Sequence, residues 1–133
     1  MKVVVDTNVF ISGVFFTGPP HQILDAWRHG RVQIVVAPEI LTEYRDTGTE
    51  LTANFPEVEL EPWLELLAVK STLVEAPPLE KQVCTDPDDD KFLACALAGR
   101  VSIIVSGDKA LLRASGYKRL KVLTPRSFVD RYL

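Results

Sequence analysis

Short apolar runs rich in β-branched residues recur along this chain and alternate with helical patterns. The runs are Lys2–Val5, Val32–Val36, Ser102–Val105 and Lys121–Leu123, with a shorter one at Leu73–Val74. Runs so short and so continuously apolar are typical of strands that are buried on both faces, as in parallel sheets. Because helices usually connect parallel strands, the alternation predicts an α/β fold. We expect a three-layer α/β/α sandwich around a central parallel sheet of about five strands.

Proline and glycine mark the ends of the predicted helices. Pro20 opens one helix and Gly30 ends it. Pro38 opens the next, which we expect to break at Thr47–Thr49 because a glycine lies at its centre. Further helical patterns are predicted at 51–55, 62–69, 90–98, 109–113 and 124–131.

Length and composition indicate one globular domain. The chain has 133 residues, 47% of them hydrophobic and 25% charged, which is ordinary for a soluble domain. No apolar run approaches the roughly 20 residues that cross a bilayer. We therefore expect a single domain over residues 1–133 and a cytoplasmic location. The two cysteines, Cys84 and Cys95, lack C-x-x-C spacing, so we expect free, buried thiols.

Charge is distributed unevenly along the chain. The net charge of -3 alone argues against a protein that coats nucleic acid. However, residues 1–99 carry 7 basic and 16 acidic side chains, whereas residues 100–133 carry 8 basic and 2 acidic ones. The carboxy-terminal part of the chain is therefore distinctly basic.

Two acidic residues directly follow predicted strands. Asp6 comes after Lys2–Val5, and Asp108 follows Ser102–Val105 with two residues between. If these strands are neighbours in a parallel sheet, both carboxylates lie at the same end of it, where α/β proteins bind ligands. A lone Asp in this position is more often a turn or cap residue, so the interpretation depends on further acids.

Two further acids lie on predicted helices. At about 100° per residue, Asp90 falls on the same side as the apolar residues of its helix, so we expect its carboxylate to point inward. Glu43 borders the apolar stripe of the helix that Pro38 opens, whereas Glu39 lies nearly opposite it. Glu43 is therefore the better candidate of the two.

The acids that precede Asp90 are interpreted differently. Asp86 followed by Pro87 is typical of a helix start with Asp86 as the N-cap. Asp88 and Asp89 fall on other sides of the helix than Asp90. We expect both to be solvated charges that the positive end of the helix dipole favours.

Carboxylates gathered at one site repel one another, and a divalent cation relieves that repulsion. Mg²⁺ and Mn²⁺ prefer such hard oxygen ligands. The only histidines, His21 and His29, are far from the acids in sequence, which disfavours a zinc site. A carboxylate-bound metal promotes phosphodiester hydrolysis. No arrangement typical of a serine, cysteine or histidine nucleophile competes with this interpretation.

Together these segments resemble the successive motifs of a known family, the PIN domains. The resemblance runs from residue 3 to about residue 125 and includes the branch of toxins from bacterial toxin–antitoxin systems, similar to VapC-type toxins. Each motif alone is weak, and the four in this order are specific. They are Val5-Asp6-Thr7-Asn8-Val9-Phe10-Ile11-Ser12-Gly13, then Glu43, then Asp86-Pro87-Asp88-Asp89-Asp90-Lys91-Phe92-Leu93, and finally Ser106-Gly107-Asp108-Lys109.

The resemblance implies a function for the acids. It implies a PIN-like nuclease domain that cleaves RNA with Mg²⁺ or Mn²⁺. Its catalytic, metal-binding residues would be Asp6, Glu43, Asp90 and Asp108, with Asn8 and Ser106 orienting them. Ala110 stands where relatives often carry a further Asp, which puts a fifth acidic contribution in doubt.

The resemblance also implies partners. A toxin of this kind would be neutralised by a small antitoxin protein, and family members often form homodimers. The apolar stretch Trp63–Leu67 could serve as the interface between two copies. Basic residues of the last third could hold RNA phosphates that lead into the acidic site, or they could form a solvated charge run. These are Lys109, Arg113, Lys118, Arg119, Lys121 and Arg126.

Two other functions fit parts of the sequence. The first is a non-cleaving RNA- or partner-binding module with the same fold. The second is a phosphohydrolase with Asp6 as nucleophile. Such enzymes usually place a second Asp two residues later, where this chain has Asn8, so the phosphohydrolase is the weaker alternative.

Overall fold

A computed structural model describes all 133 residues. It contains five strands, and every neighbouring pair is parallel, in the order β3-β2-β1-β4-β5. The α/β fold and the five-stranded parallel sheet predicted from the sequence are therefore confirmed. The strands are β1 (Lys2–Val5), β2 (Gln33–Val36), β3 (Thr72–Leu73), β4 (Ile103–Val105) and β5 (Lys121–Leu123).

Seven helices connect and cover the strands. Two short 3-10 turns, Pro87–Asp89 and Tyr117–Arg119, lie in the connections. No helix combines the length and the apolar character that a bilayer crossing requires. The helices are α1 (Thr7–Phe15), α2 (Pro19–Arg28), α3 (Pro38–Thr52), α4 (Glu61–Lys70), α5 (Asp90–Ala98), α6 (Lys109–Arg113) and α7 (Pro125–Tyr132).

The sheet is covered on both faces. Consecutive strand residues point to opposite faces, so a strand whose successive residues are all buried must have cover on each side. Val3, Val4 and Val5 of β1 are all fully buried, as are Ile34 to Val36 of β2. One cluster of 33 buried hydrophobic residues joins the sheet to the helices. The fold is thus a three-layer α/β/α sandwich.

Helix α1 has no counterpart among the helices predicted from the sequence. It begins one residue after β1, with Asp6 at its N-cap position, and six of its nine residues are buried. Helix α1 packs against both α2 and α3, and its apolar residues accordingly lie around most of its circumference. A helix that is buried on several sides lacks the one-sided periodicity by which amphipathic helices are identified.

Helix α3 passes through the glycine that was expected to end it. Gly48 is buried, and a Cβ atom there would lie 2.9 Å from Leu60 and 3.3 Å from Ile11. The expected break at Thr47–Thr49 is therefore wrong. Glycine serves at this position as a small residue that lets neighbouring side chains approach the helix.

Both cysteines are free and buried, as expected. Burial, the largest effect, raises the pKa of the Cys95 thiol to about 12. Burial and the neighbouring Asp90 carboxylate raise the pKa of Cys84 to about 12. Neither thiol is therefore in the reactive thiolate form near neutral pH.

Replacing Gly13 should destabilise the fold. A Cβ at this position would lie 2.8 Å from the backbone oxygen of Pro20 and 2.7 Å from Leu24. Because a backbone atom cannot move aside cheaply, we expect Gly13→Ala to lower the free energy of unfolding by about 1–3 kcal/mol, measured by urea titration. Gly107→Ala is the control, since its Cβ would meet nothing within 4 Å. Equal stability of Gly13→Ala and the parent protein would contradict this packing.

Candidate active site

The neighbouring strands β1 and β4 bring two acids together at the carboxyl end of the sheet. Asp6 follows β1, and its amide donates a hydrogen bond to the Val105 oxygen at 2.9 Å, which extends the pairing of the two strands. Ser106 follows β4, and its Oγ donates to Asp6 Oδ2 at 2.6 Å. The amide of Asp108 in turn donates to Ser106 Oγ at 2.9 Å. Ser106 thus connects the two acids.

Asp108 is held by the helix that follows it. Its Oδ2 accepts a hydrogen bond from the amide of Leu111 at 3.1 Å, so Asp108 is the side-chain N-cap of α6. Such a cap stabilises the start of a helix and fixes the rotamer of the capping residue. The cap therefore fixes the position of the Asp108 carboxylate relative to Ser106.

The Asp6 carboxylate lies in a buried and negatively charged environment. Only 5% of the Asp6 surface is exposed to solvent. Burial, the largest effect, raises the pKa of Asp6, and the nearby charges of Asp108 and Glu43 raise it further. The hydrogen bond from Ser106 acts in the opposite direction but does not cancel the rise. The structure thus places Asp6, Asp108 and Glu43 in one electrostatic environment.

Glu43 is held by two partners from outside its own helix. Thr7 Oγ1 donates a hydrogen bond to Glu43 Oε1 at 2.5 Å, and Lys91 Nζ donates to Oε2. The Lys91 side chain is only 9% exposed, and its Nζ also pairs with Asp88 at 3.0 Å. Burial acts to lower the pKa of Lys91, but the two carboxylates outweigh it and raise the pKa. Lys91 therefore supplies a positive charge that compensates Glu43.

The orientation of Asp90 differs from the sequence prediction. Its Oδ1 accepts a hydrogen bond from the Cys84 amide at 2.8 Å, and Oδ2 accepts one from the Val83 amide at 3.0 Å. Both carboxylate oxygens therefore hold the preceding loop instead of pointing at the other acids. The residue within hydrogen-bonding reach of Asp108 is Asp89. The expectation that Asp89 is only a solvated charge is wrong.

The local backbone explains this difference. Residues 87–89 form a 3-10 turn, in which side chains are about 120° apart, whereas the prediction assumed about 100° throughout. The change in spacing at the turn rotates Asp89 toward Asp108 relative to an unbroken α-helix. Asp90 begins α5 proper, where two loop amides without other partners in this region attract its carboxylate.

The carboxyl group of Asp89 is strongly perturbed. Burial, the largest effect, and the adjacent Asp108 raise the pKa of Asp89 from its ordinary value of 3.8 to about 7, with smaller contributions from Asp6 and Asp86. The Asp89 carboxyl therefore keeps its proton to a higher pH than an exposed aspartate does. Asp86 is the N-cap of the 3-10 turn, as predicted, because its side chain accepts a hydrogen bond from the Asp88 amide at 3.0 Å.

The two supporting residues behave differently. Ser106 is fully buried and hydrogen-bonds both Asp6 and Asp108, in agreement with an orienting role. Asn8 is exposed, and its side chain forms no hydrogen bond with any of the acids. Asn8 instead lines a cavity of about 380 Å³ that opens beside Asp108, between α1 and the start of α7. The residue that orients an acid from this segment is Thr7.

The basic residues of the last third do not form one surface. Lys109 follows Asp108 directly, and Arg126 follows β5, so both lie at the carboxyl end of the sheet. Lys118 and Arg119 precede β5, and Lys121 is its first residue. These three therefore lie at the opposite, amino end of the sheet. The expectation that Lys118 and Arg119 lead RNA into the acidic site is wrong.

The chemistry of the acidic site fits a hard divalent cation. Asp6, Asp89 and Asp108 offer only oxygen ligands. Burial, the largest effect, and the neighbouring carboxylates raise the pKa of Asp6 and of Asp89. No basic side chain forms an ion pair with any of the three. In the present side-chain positions, no three His, Cys, Asp or Glu residues form a group that could hold a metal ion. Binding an ion would therefore require the carboxylates to rotate toward one another.

The Asp89–Asp108 contact predicts a pH dependence of stability. The folded protein retains the Asp89 proton up to about pH 7, whereas the unfolded chain releases it near pH 3.8. Its contribution to stability is therefore fully present below about pH 4 and is lost as the pH rises through about 7. We expect Asp89→Asn, which mimics the protonated acid, to reduce this loss.

Urea titrations across this pH range in a chelator would measure the effect. The exposed Asp130→Asn is the matched control and should follow the parent protein. If Asp89→Asn and Asp130→Asn lose stability equally with rising pH, the contact between Asp89 and Asp108 is not as described.

Comparison with known proteins agrees with this architecture. The sequence matches the PIN domain family over residues 2–110. It is also 31% identical, over 144 aligned residues, to an uncharacterized protein of Methanocaldococcus jannaschii, and the alignment covers 99% of this chain and 92% of the archaeal protein. The family match includes every acid of the site, from Asp6 to Asp108. The chain therefore belongs to the PIN domain family, whose fold is that of nucleases.

Proposed function

We propose that this protein is an endoribonuclease that cleaves RNA with Mg²⁺ or Mn²⁺ held at the carboxyl end of its sheet. One observation carries the proposal. Three carboxylates from three separate segments, Asp6, Asp89 and Asp108, lie close enough there to influence one another's pKa, and no basic side chain pairs with any of them. Burying several carboxylates together destabilises the folded state. A metal-binding role, which is typical of the nuclease family to which the chain belongs, would explain why they are present.

The residues of the site divide into ligands and positioning residues. Asp6, Asp89 and Asp108 would hold the cation, which when bound lowers the pKa of water and stabilises charge on the attacking and leaving oxygens. Ser106 holds the Asp6 carboxylate in place, and the α6 cap holds Asp108. Glu43, whose charge Lys91 compensates, lies beside these three carboxylates and would contribute to the electrostatic potential at the cation.

The substrate would reach the site from the side of Asp108. The cavity of about 380 Å³ between Asn8, Gly107 and Pro125 adjoins this carboxylate. Lys109 lies next to Asp108 in the chain, and Arg126 lies next to Pro125, so both are suited to contact phosphates that flank the cleaved bond. That the polymer is RNA is inferred from the family.

The biological setting is also a proposal. Toxin activity, a small antitoxin and homodimerisation rest on the resemblance to VapC-type toxins, and the cytoplasmic location rests on the sequence. In the stretch Trp63–Leu67 proposed for the dimer interface, Leu67 is 1% exposed and packs in the core of its own chain, whereas Trp63, Leu64 and Leu66 are half-buried and keep part of their surface exposed. The exposed apolar residues closest to it are Val69 and Leu73, which are 81% and 60% exposed.

Cleavage assays test the proposed activity. We expect the pure protein to cut structured RNA with Mg²⁺ or Mn²⁺ and to lose activity in chelator. Asp6→Asn should lower the rate by on the order of 100-fold or more, because it removes a ligand charge. The exposed Asp130→Asn should leave the rate unchanged. Equal cleavage by Asp6→Asn and the parent would contradict the proposal, and metal-independent RNA retention without cleavage would favour the non-cleaving module.

Two neighbouring variants separate the sequence prediction from the structural one. Because Asp89 faces Asp108, Asp89→Asn should reduce cleavage strongly and weaken the stabilisation by Mg²⁺ in thermal unfolding. Because Asp90 binds the amides of Val83 and Cys84, Asp90→Asn should mainly lower stability, by about 1–3 kcal/mol. A fully stable Asp90→Asn without activity, beside an active Asp89→Asn, would reverse the assignment.

A further inference from the structure

The amino end of the sheet carries a row of positive charge. The segments that enter the strands are 1–2, 29–33, 70–72, 99–102 and 114–121, and they contain no Asp or Glu. All seven of their Lys and Arg residues are exposed, and none forms an ion pair with a carboxylate. These residues, the amino-end row, are Lys2, Arg31, Lys70, Arg100, Lys118, Arg119 and Lys121.

The opposite end of the sheet has the opposite charge. The segments that leave the strands are 6, 37, 74–89, 106–108 and 124, and they contain seven acids with Lys81 as the one basic residue. Positive and negative charge are therefore separated along the strand direction, although the net charge of the chain is only -3. Asp25, the acid nearest Arg31 in sequence, pairs with Arg28 at 2.5 Å.

The row has the dimensions of a nucleic-acid backbone. Lys2 is level with Gln33, and Ile103 is level with Lys121, whereas β3 begins at Thr72, level with Val35 of β2. Five strands spaced about 4.8 Å apart extend over roughly 19 Å. A nucleic-acid strand with one phosphate per about 3.4 Å presents about six phosphates over that length. The number of phosphates nearly equals the number of basic side chains.

Three residues of the row have an unusual backbone conformation. Arg100, Lys118 and Arg119 have φ values of 55°, 45° and 66°, in the left-handed region that residues with a Cβ seldom adopt. The turn of Lys118 and Arg119 is closed by a hydrogen bond from the Gly116 amide to the Leu120 oxygen at 2.7 Å. A tight turn thus fixes two adjacent basic residues at the surface, where a helix would have placed them on different sides.

The surroundings favour a polyanion over an acidic protein. Protein interfaces have an apolar and aromatic centre. Of the five large apolar residues that are well exposed in this chain, Met1 lies in these segments, and Val69 and Leu73 border the segment 70–72. Leu120 and Val101, which flank the basic residues, are 3% exposed and belong to the core. The row is therefore charged throughout, which suits the sequence-independent binding of phosphates.

We propose that the amino-end row is a second RNA-binding surface, separate from the acidic site. The choice of RNA among nucleic acids rests on the proposed function. Strands of three or four residues, at about 3.3 Å each, keep the two ends at least about 10 Å apart before the loops are added. An oligonucleotide of about three residues spans no more than about 10 Å at about 3.4 Å per phosphate, so it does not reach from the acidic site to the row. The substrate class is therefore RNA that is long or folded enough to contact both ends.

A charge-removal variant tests the surface. The variant carries Lys118→Gln, Arg119→Gln and Lys121→Gln, and its matched control carries Arg45→Gln, Lys81→Gln and Arg131→Gln, which remove the same charge elsewhere. Binding of a long stem-loop RNA is measured by fluorescence anisotropy in chelator over a range of salt concentrations. Cleavage of an oligonucleotide of about three residues is measured with Mg²⁺.

We expect the variant to bind the long RNA at least about tenfold more weakly, with a salt slope lower by roughly 2, since each phosphate contact to a single strand contributes about 0.7. Its cleavage of the short oligonucleotide should match that of the parent, and the control should behave like the parent in both assays. Parent-like affinity and salt slope in the variant would overturn the proposal. Equal competition by polyglutamate for the row would also overturn it in favour of an acidic protein.

The same measurements keep the two proposals distinct. Asp6→Asn should bind the long RNA as the parent does, because the row does not involve the acidic site. A parent protein that binds long RNA through the row but cleaves no RNA would contradict the ribonuclease and support the row. Cleavage of short RNA together with unchanged long-RNA binding by the triple variant would do the reverse.

Discussion

The buried hydroxyl of Ser106 determines how the acidic site is assembled. It donates to the Asp6 carboxylate and accepts from the Asp108 amide, so one side chain joins the ends of β1 and β4. This arrangement is possible only because the two strands are parallel neighbours in the middle of the sheet. Without the hydroxyl, a carboxylate that is 5% exposed would lose the hydrogen bond that offsets its burial. The cap of α6 and the contact with Asp89 both depend on where Asp108 is then held.

Glu43 and Asp90, the other carboxylates of this region, each have hydrogen-bond partners that give them a structural role. Glu43 is held by Thr7 and Lys91, and Asp90 fastens the loop before α5 through two amides. Asp6 and Asp108 also accept hydrogen bonds, but no basic side chain forms an ion pair with Asp6, Asp89 or Asp108. Asp89 and Asp90 are neighbours in sequence but differ in chemistry, because different hydrogen-bond donors and charges surround their carboxylates.

The sequence predicted the architecture better than it predicted the side-chain directions. The apolar runs defined β1, β4 and β5, and the positions of Asp6 and Asp108 after two of these runs predicted that the two acids lie at the same end of the sheet. The helix α1 was missed because it is apolar around most of its circumference. The sequence could not predict that Asp89, and not Asp90, lies beside Asp108. Their orientations depend on a 3-10 turn and on amides from a loop that has no periodic pattern. The basic residues were misplaced because sequence proximity to Asp108 does not say which end of a strand they occupy.

The separation of charge between the two ends of the sheet also gives the molecule an electric dipole along its strands. In the field of a polyanion such a molecule turns before it makes contact, so its amino end arrives first and its acidic end faces away. Under the proposed function, the orientation of first contact and the orientation needed for cleavage then differ, and an RNA that contacts both ends has to bend around the protein. Dissolved salt weakens the field over about 8–10 Å. Under the same proposal, ionic strength acts on the rate of RNA capture far more than on bond breaking at the carboxylates.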